Sequence, residues 1–155
     1  MTASHGVTMN GRISTELKPR VGRTIEEELT ARLELLDGEG RFALLIWRLP
    51  ENVPFDRFDL DSGPTDYMQC AGGVAGRFTC EVRRTGVDGR SSHEVMGRAG
   101  DTRSGSASER VRWAENESLV RENEVLSIDE VAELFRAYLA DESVPAGYAS
   151  REAVL

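Results

Sequence analysis

At 155 residues, 39% apolar and 30% charged, the chain has the size and composition of one globular domain, able to bury roughly two-thirds of its unfolded surface. Its formal charge of −8 disfavours nucleic acid and anionic lipid as partners and favours a basic protein. The longest apolar run, Phe42 to Trp47, is far short of the ~20 residues of a membrane span. The amino terminus lacks the charged-then-apolar pattern of a signal peptide, so a cytoplasmic protein is expected.

Residues 1–22 mix Gly, Thr, Ser and scattered charges without sustained periodicity, which predicts a flexible lead-in with at most one short strand, and with Met9 as an alternative start. Thr24 and Glu27 form a capping-box pattern, and Glu26, Glu27 and Glu28 sit where a helix dipole favours negative charge. Ile25, Leu29, Leu33 and Leu36 follow at helical spacing, and Gly38 supplies a left-handed stop. Residues 41–49 carry a continuous apolar centre and read as a strand covered on both faces. Residues 51–65, with Pro54, Pro64 and Gly63 among Asp56, Asp59 and Asp61, read as a long acidic loop.

Residues 67–71 and 77–83 flank Gly72, Gly73 and Gly76 and predict an antiparallel hairpin. Phe78, Cys80 and Val82 alternate with Thr79, Glu81 and Arg83, the pattern of a half-buried strand. Pairing about position 74 adds Met68 and Cys70 to the apolar face, with Tyr67 and Gln69 opposite. A turn at Gly86 to Gly89 leads to a strand at 93–97, and Arg98 to Ser108 is Gly-, Ser- and Arg-rich and reads as mobile. Val111 and Trp113 suggest one more strand. Ser127 with Glu130 is a second capping box, Leu126 with Val131 a hydrophobic staple, and Ile128, Val131, Ala132, Phe135, Tyr138 and Leu139 form one apolar stripe. Helix, strands and helix in that order predict an α+β fold: an antiparallel meandering sheet with an amino-terminal and a carboxyl-terminal helix packed on it. One domain over 23–148 and a short tail over 149–155 are expected.

The chemistry-bearing residues point away from catalysis. Lys18 is the single lysine, and no Gly-rich phosphate loop accompanies it. His93 is the one histidine outside the lead-in; a strand-borne imidazole is more often a pairing residue than a catalyst. Cys70 and Cys80 are read as reduced core residues, and with His93 they lack the paired close spacing of a zinc site. The aspartates of the loop miss calcium-loop spacing, since Gly63 and Pro64 fall where a ligand and the turn glycine belong. Neither metal nor cofactor is expected, and no enzyme activity. The arginines between Arg83 and Arg112 lack interleaved aromatics for stacking bases.

The amino-terminal helix, the strings Tyr67-Met68-Gln69-Cys70-Ala71-Gly72 and Phe78-Thr79-Cys80-Glu81-Val82-Arg83, and the end segment Glu124-Val125-Leu126-Ser127 to Phe135-Arg136-Ala137-Tyr138-Leu139 resemble one family of immunity proteins from bacterial polymorphic toxin systems. Ser143-Val144-Pro145 followed by Tyr148 is similar to that family's ending, although the family closes with Trp where this chain has Tyr148, and Arg98 to Ser108 looks inserted. The resemblance, over roughly residues 24–148, implies a cytoplasmic antidote that binds a cognate toxin domain, often a nuclease or deaminase, and blocks its active site.

Net charges of −4, +3 and −7 over residues 1–76, 77–112 and 113–155 make the carboxyl-terminal third the acidic surface. Binding energy concentrates in aromatic anchors, which nominates Tyr67, Trp113 and Tyr148, with Glu115, Glu117, Glu122 and Glu124 as mimics of phosphate charge and Leu119 and Val125 packed beneath them. An adaptor, regulator or secretion chaperone is the competing reading. A small enzyme would instead need a pocket holding His93 beside Cys70, Cys80 or a carboxylate.

Overall fold

The computed structural model of the chain describes residues 4–100 and 107–153. Its elements in chain order are β1 (His5–Met9), β2 (Ile13–Leu17), α1 (Ile25–Glu34), β3 (Ala43–Arg48), β4 (Tyr67–Gly72), β5 (Phe78–Thr85), β6 (Ser91–Arg98), β7 (Glu109–Trp113), β8 (Asn116–Val120), α2 (Ile128–Asp141) and β9 (Tyr148–Glu152). Seven strands form one sheet in the order β2-β1-β3-β4-β5-β6-β9, and β7 and β8 form a separate hairpin. Every pairing is antiparallel. With both helices on one face, the domain is α+β.

Period-two alternation decides what the helices cover. Val7, Leu44, Ile46, Met68, Cys70, Phe78, Cys80, Val82 and Met96 point to one face and meet Leu29 and Leu33 of α1 and Val131, Leu134, Phe135 and Tyr138 of α2. Both capping boxes form: Thr24 Oγ1 accepts from Glu27 N at 3.1 Å, and Ser127 Oγ from Glu130 N at 3.2 Å. Gly38 has φ of 83°, and a Cβ there would lie 2.5 Å from Val74, so glycine is required for both conformation and space. In the 67–83 hairpin Cys70 lies opposite Cys80, not Phe78. The register is thus two residues from pairing about position 74, an even slip that keeps every side chain on its expected face.

Three expectations need correction. Residues 5–17 are not a lead-in: β1 lies between β2 and β3, and His5, Val7, Thr8 and Leu17 are buried. Residues 148–152 are not a tail, because β9 closes one side of the sheet by pairing with β6. The domain therefore runs beyond 23–148 at both ends. Positions 101–106, the centre of the segment expected to be mobile, lie outside the described residues.

One buried carboxylate shows how the first helix is fastened. Glu28 is buried in α1, and its carboxyl meets Arg23 Nη1 at 3.0 Å, Arg32 Nε at 3.3 Å and Arg20 Nε at 3.4 Å. Burial pushes its pKa up, but the hydrogen bonds from Arg23 and Arg32 and the charges of Arg20 and Arg32 outweigh it and hold the group below its ordinary range. The pair network ties β2 as well, since Arg32 also donates to Thr15 Oγ1.

His5 has the opposite logic. Burial, and then the nearby charge of Arg48, lower its pKa from 6.5 to about 4. The unfolded chain takes up the proton first as pH falls, so this group's contribution is constant above pH 6.5 and declines down to about pH 4. Urea unfolding at pH 7 and pH 5 should show a loss of stability that His5→Leu flattens; equal slopes in the two proteins would refute the assignment.

Candidate partner-binding face

The sheet's second face is built from the residues that alternate away from the helices, and three segments cover parts of it. Trp47 is fully buried there under the loop after β3, with ring centroids 4.6 Å from Phe58 and 6.0 Å from Phe55. The β7–β8 hairpin lies over Ala71 and Thr79. A 3-10 turn at Glu122–Glu124 approaches β6 so closely that a Cβ at Gly97 would sit 2.8 Å from the Asn123 side chain.

What remains open between these covers is a patch of β4, β5 and β6 carrying Tyr67, Gln69, Glu81, Arg83 and His93. Register places Tyr67 opposite Arg83 and Gln69 opposite Glu81, with Arg83 opposite His93 on the next strand. His93 Nε2 and Glu81 Oε2 are 2.6 Å apart, and Arg83 donates to Ser91 Oγ at 3.3 Å. Against the hairpin the patch deepens into a recess of about 200 Å³ lined by Gln69, Ala71, Thr79, Glu81, Trp113 and Ser118. The half-buried Trp113 ring is held on both sides, stacked on Phe42 at 5.8 Å and donating from Nε1 to Ser118 Oγ at 2.9 Å. A fixed aromatic wall beside a carboxylate and a carboxamide can accept a protruding side chain with little loss of its own rotamer freedom.

Tyr67 and Trp113, expected as interface aromatics, both lie on this face: Trp113 lines the recess with Gln69, and Tyr67 is two residues before Gln69 on β4, outside the recess lining. Glu115 occupies the exposed β7–β8 turn, and Glu117 lies on the hairpin's outer face, bridged to Arg110 at 2.5 Å. Glu122 is exposed at the 3-10 turn. Glu124 and Tyr148 do not join this face either. Glu124 is 2% exposed and bound by Arg151 through Nε at 2.6 Å and Nη2 at 2.9 Å, so it is a structural ion pair and no phosphate mimic. Tyr148 lies on the helix side, donating to Glu133 at 3.1 Å. Burial, and then the bond to Glu133, push its pKa up to about 12. Leu119 is also corrected: it is 53% exposed on the hairpin's outer face instead of packed below the acidic segment. Gln69, Glu81 and His93 were not nominated for binding, although the predicted alternation already put Gln69 and Glu81 on the face that Tyr67 shares.

The sheet itself separates the groups a thiol enzyme would need to join. Cys70 and Cys80 are fully buried on the helix side, where burial raises the Cys70 thiol to about 12 and Cys80 well above its ordinary value. His93 is on the other face, so the pocket joining it to a cysteine does not form; the carboxylate it meets is Glu81, and His93 is not among the residues lining the recess. Among the described residues no cluster of three His, Cys, Asp or Glu side chains is placed to hold a metal ion, and no helix is long and apolar enough to cross a membrane. No protein-family model, curated protein or solved structure matches this chain.

Proposed function

We propose that this chain is an immunity protein of a bacterial toxin system, which binds a basic cognate toxin domain through the open sheet face and occludes it from its substrate. The observation that supports the reading best is the Trp113 ring fixed in the wall of a recess that also offers the Glu81 carboxylate, with Tyr67 on the same open sheet face. An aromatic anchor set in a pocket, beside a residue able to meet a cationic group, is the arrangement in which interface energy concentrates. The overall charge of −8 favours rapid encounter with a basic partner, with Glu115 and Glu122 as exposed acids at the periphery.

The test is co-expression with the toxic carboxyl-terminal domain encoded beside the gene. A one-to-one complex that restores growth is expected. Trp113→Ala and Tyr67→Ala should each weaken binding by about 2 kcal/mol, roughly thirtyfold in Kd, while Glu26→Ala on the exposed side of α1 leaves it unchanged. Absence of both complex and rescue would overturn the reading and move the function to an adaptor with another partner.

A further inference from the structure

β2 is an outer strand of the large sheet, and its one sheet neighbour among the described residues is β1. The direction of its backbone groups follows from β1. Asn10 N donates to Ala43 O and Leu49 N to Ser4 O, so the even-numbered residues of β1 bond to β3, and His5, Val7 and Met9 turn their backbone groups to β2. Their partners there are Leu17, Thr15 and Ile13. Ser14 and Glu16 therefore direct their N–H and C=O groups outward. Arg32 Nη2 reaches one of these four groups, Glu16 O, at 3.4 Å; the other three have no partner among the described residues.

A groove of about 720 Å³ follows this edge between β2 and α1. Met9, Ile13, Leu35 and Leu44 line it, and Ile13 and Leu35 are 66% and 51% exposed, so apolar surface lies beside open backbone. The rim is basic although the chain as a whole carries −8. Lys18 bridges Glu16 at 3.4 Å, and Arg20, Arg23 and Arg32 share the single carboxylate of Glu28. Arg12 is exposed just before the strand, while Glu26, Glu27 and Glu34 of α1 line a separate hollow beside Arg136.

That charge selects the occupant. A second copy pairing β2 with β2 in the two-fold register that sets Thr15 opposite itself would place Arg12 across from the copy's Lys18. It would also bring both Arg32 side chains, each donating to Thr15 Oγ1, to the axis. Like charges directly opposite destabilise such a pair, whereas acidic side chains on the incoming strand stabilise it.

We infer that the β2 edge docks an extended segment of a protein partner, apolar at alternate positions and flanked by acids, as an additional antiparallel strand of the sheet. Its backbone pairs with Ser14 and Glu16, its apolar side chains cover Ile13 and Leu35, and its acidic ends meet Lys18 and Arg12. The inference does not rest on the toxin reading, because this edge lies outside the β4–β6 patch and its test uses no toxin.

The test is a nuclear magnetic resonance titration of the whole chain with a blocked Glu-Val-Thr-Val-Thr-Val-Glu peptide. Saturable shifts centred on Ile13, Ser14 and Glu16 are expected, with slower amide hydrogen exchange at Ser14 and Glu16. N-methylating the two threonines, which removes backbone donors and keeps every side chain, should raise the dissociation constant at least tenfold, and so should replacing both glutamates with lysine. Ile13→Asp should do the same at an unchanged melting temperature, and Lys18→Glu, also at an exposed position, should weaken binding severalfold and serves as the probe if Ile13→Asp does not fold. Sedimentation should show a monomer. The inference is overturned by unsaturable shifts, by shifts centred on another surface, by equal affinity for the N-methylated or lysine peptide, or by a dimer that Ile13→Asp dissociates, which would assign the edge to a second copy.

Discussion

A chain that starts at Met9 should fail to fold. It would lose β1 except its last residue, and β1 is an interior strand whose five positions pair with both β2 and β3. Three consequences compound. Backbone donors and acceptors of β3 lose their partners over the length of the strand. Val7 leaves the core and β2 loses its attachment to the sheet. Trp47 also loses the floor of its pocket: its ring lies so close to Gly6 that a Cβ there would be 2.3 Å from it, and its Nε1 donates to Thr8 Oγ1 at 3.1 Å. Together these losses exceed the ~5–15 kcal/mol that stabilises an ordinary domain. Circular dichroism and thermal melting of the 9–155 protein should show no cooperative transition. A melt within a few degrees of the full chain would mean that β1 is dispensable.

Arg151→Ala should be the most damaging single change at a polar residue. Glu124 is nearly inaccessible, and its carboxylate is held by both arms of Arg151, while Glu124 Oε1 also accepts from Arg121 N at 2.8 Å. Removing the arginine leaves a buried charge without its counter-ion, a change that costs about 3–5 kcal/mol. It also loosens β9, whose one sheet neighbour among the described residues is β6. Chemical denaturation should therefore show a lower midpoint for Arg151→Ala, and Glu124→Gln in the same background should recover part of the loss by removing the stranded charge. A midpoint within experimental error of the parent would show that the pair carries little, as exposed pairs do.

The parts legible in the sequence were those whose signal is local. Thr24 with Glu27 and Ser127 with Glu130 fix helix starts because each box is a self-contained exchange of hydrogen bonds. The alternation in 78–83 sorted Cys80 from Glu81 without knowledge of the neighbouring strand. The chain ends were missed because their strands are short and mostly polar, so burial of Val7 and Leu17 depends on partners distant in sequence. One local signal was present there. Asn10 and Gly11 both adopt positive φ, 56° and 67°, and Arg12 N donates to Met9 O at 3.0 Å, an Asn-Gly turn of the kind hairpins favour, here with Arg12 as an extra residue before Met9 pairs with Ile13. The candidate face was half legible for the same reason. Tyr67 and Trp113 could be nominated by type, but Glu124 and Glu115 look alike as letters, and only the return of Arg151 from the chain's end distinguishes a buried ion pair from a solvated acid.

That return has a consequence for how the protein is made. β3 to β6 pair as sequence neighbours, so this meander can assemble while the chain is still leaving the ribosome. β9 cannot, because Met96 must wait for Ser150 and Glu124 for Arg151. Until then the outer edge of β6 offers open backbone to any extended peptide, and Glu124 stays tied to water. A message cut short before the final strand would therefore yield a product with an adhesive sheet edge, open to aggregation and to proteolytic clearance.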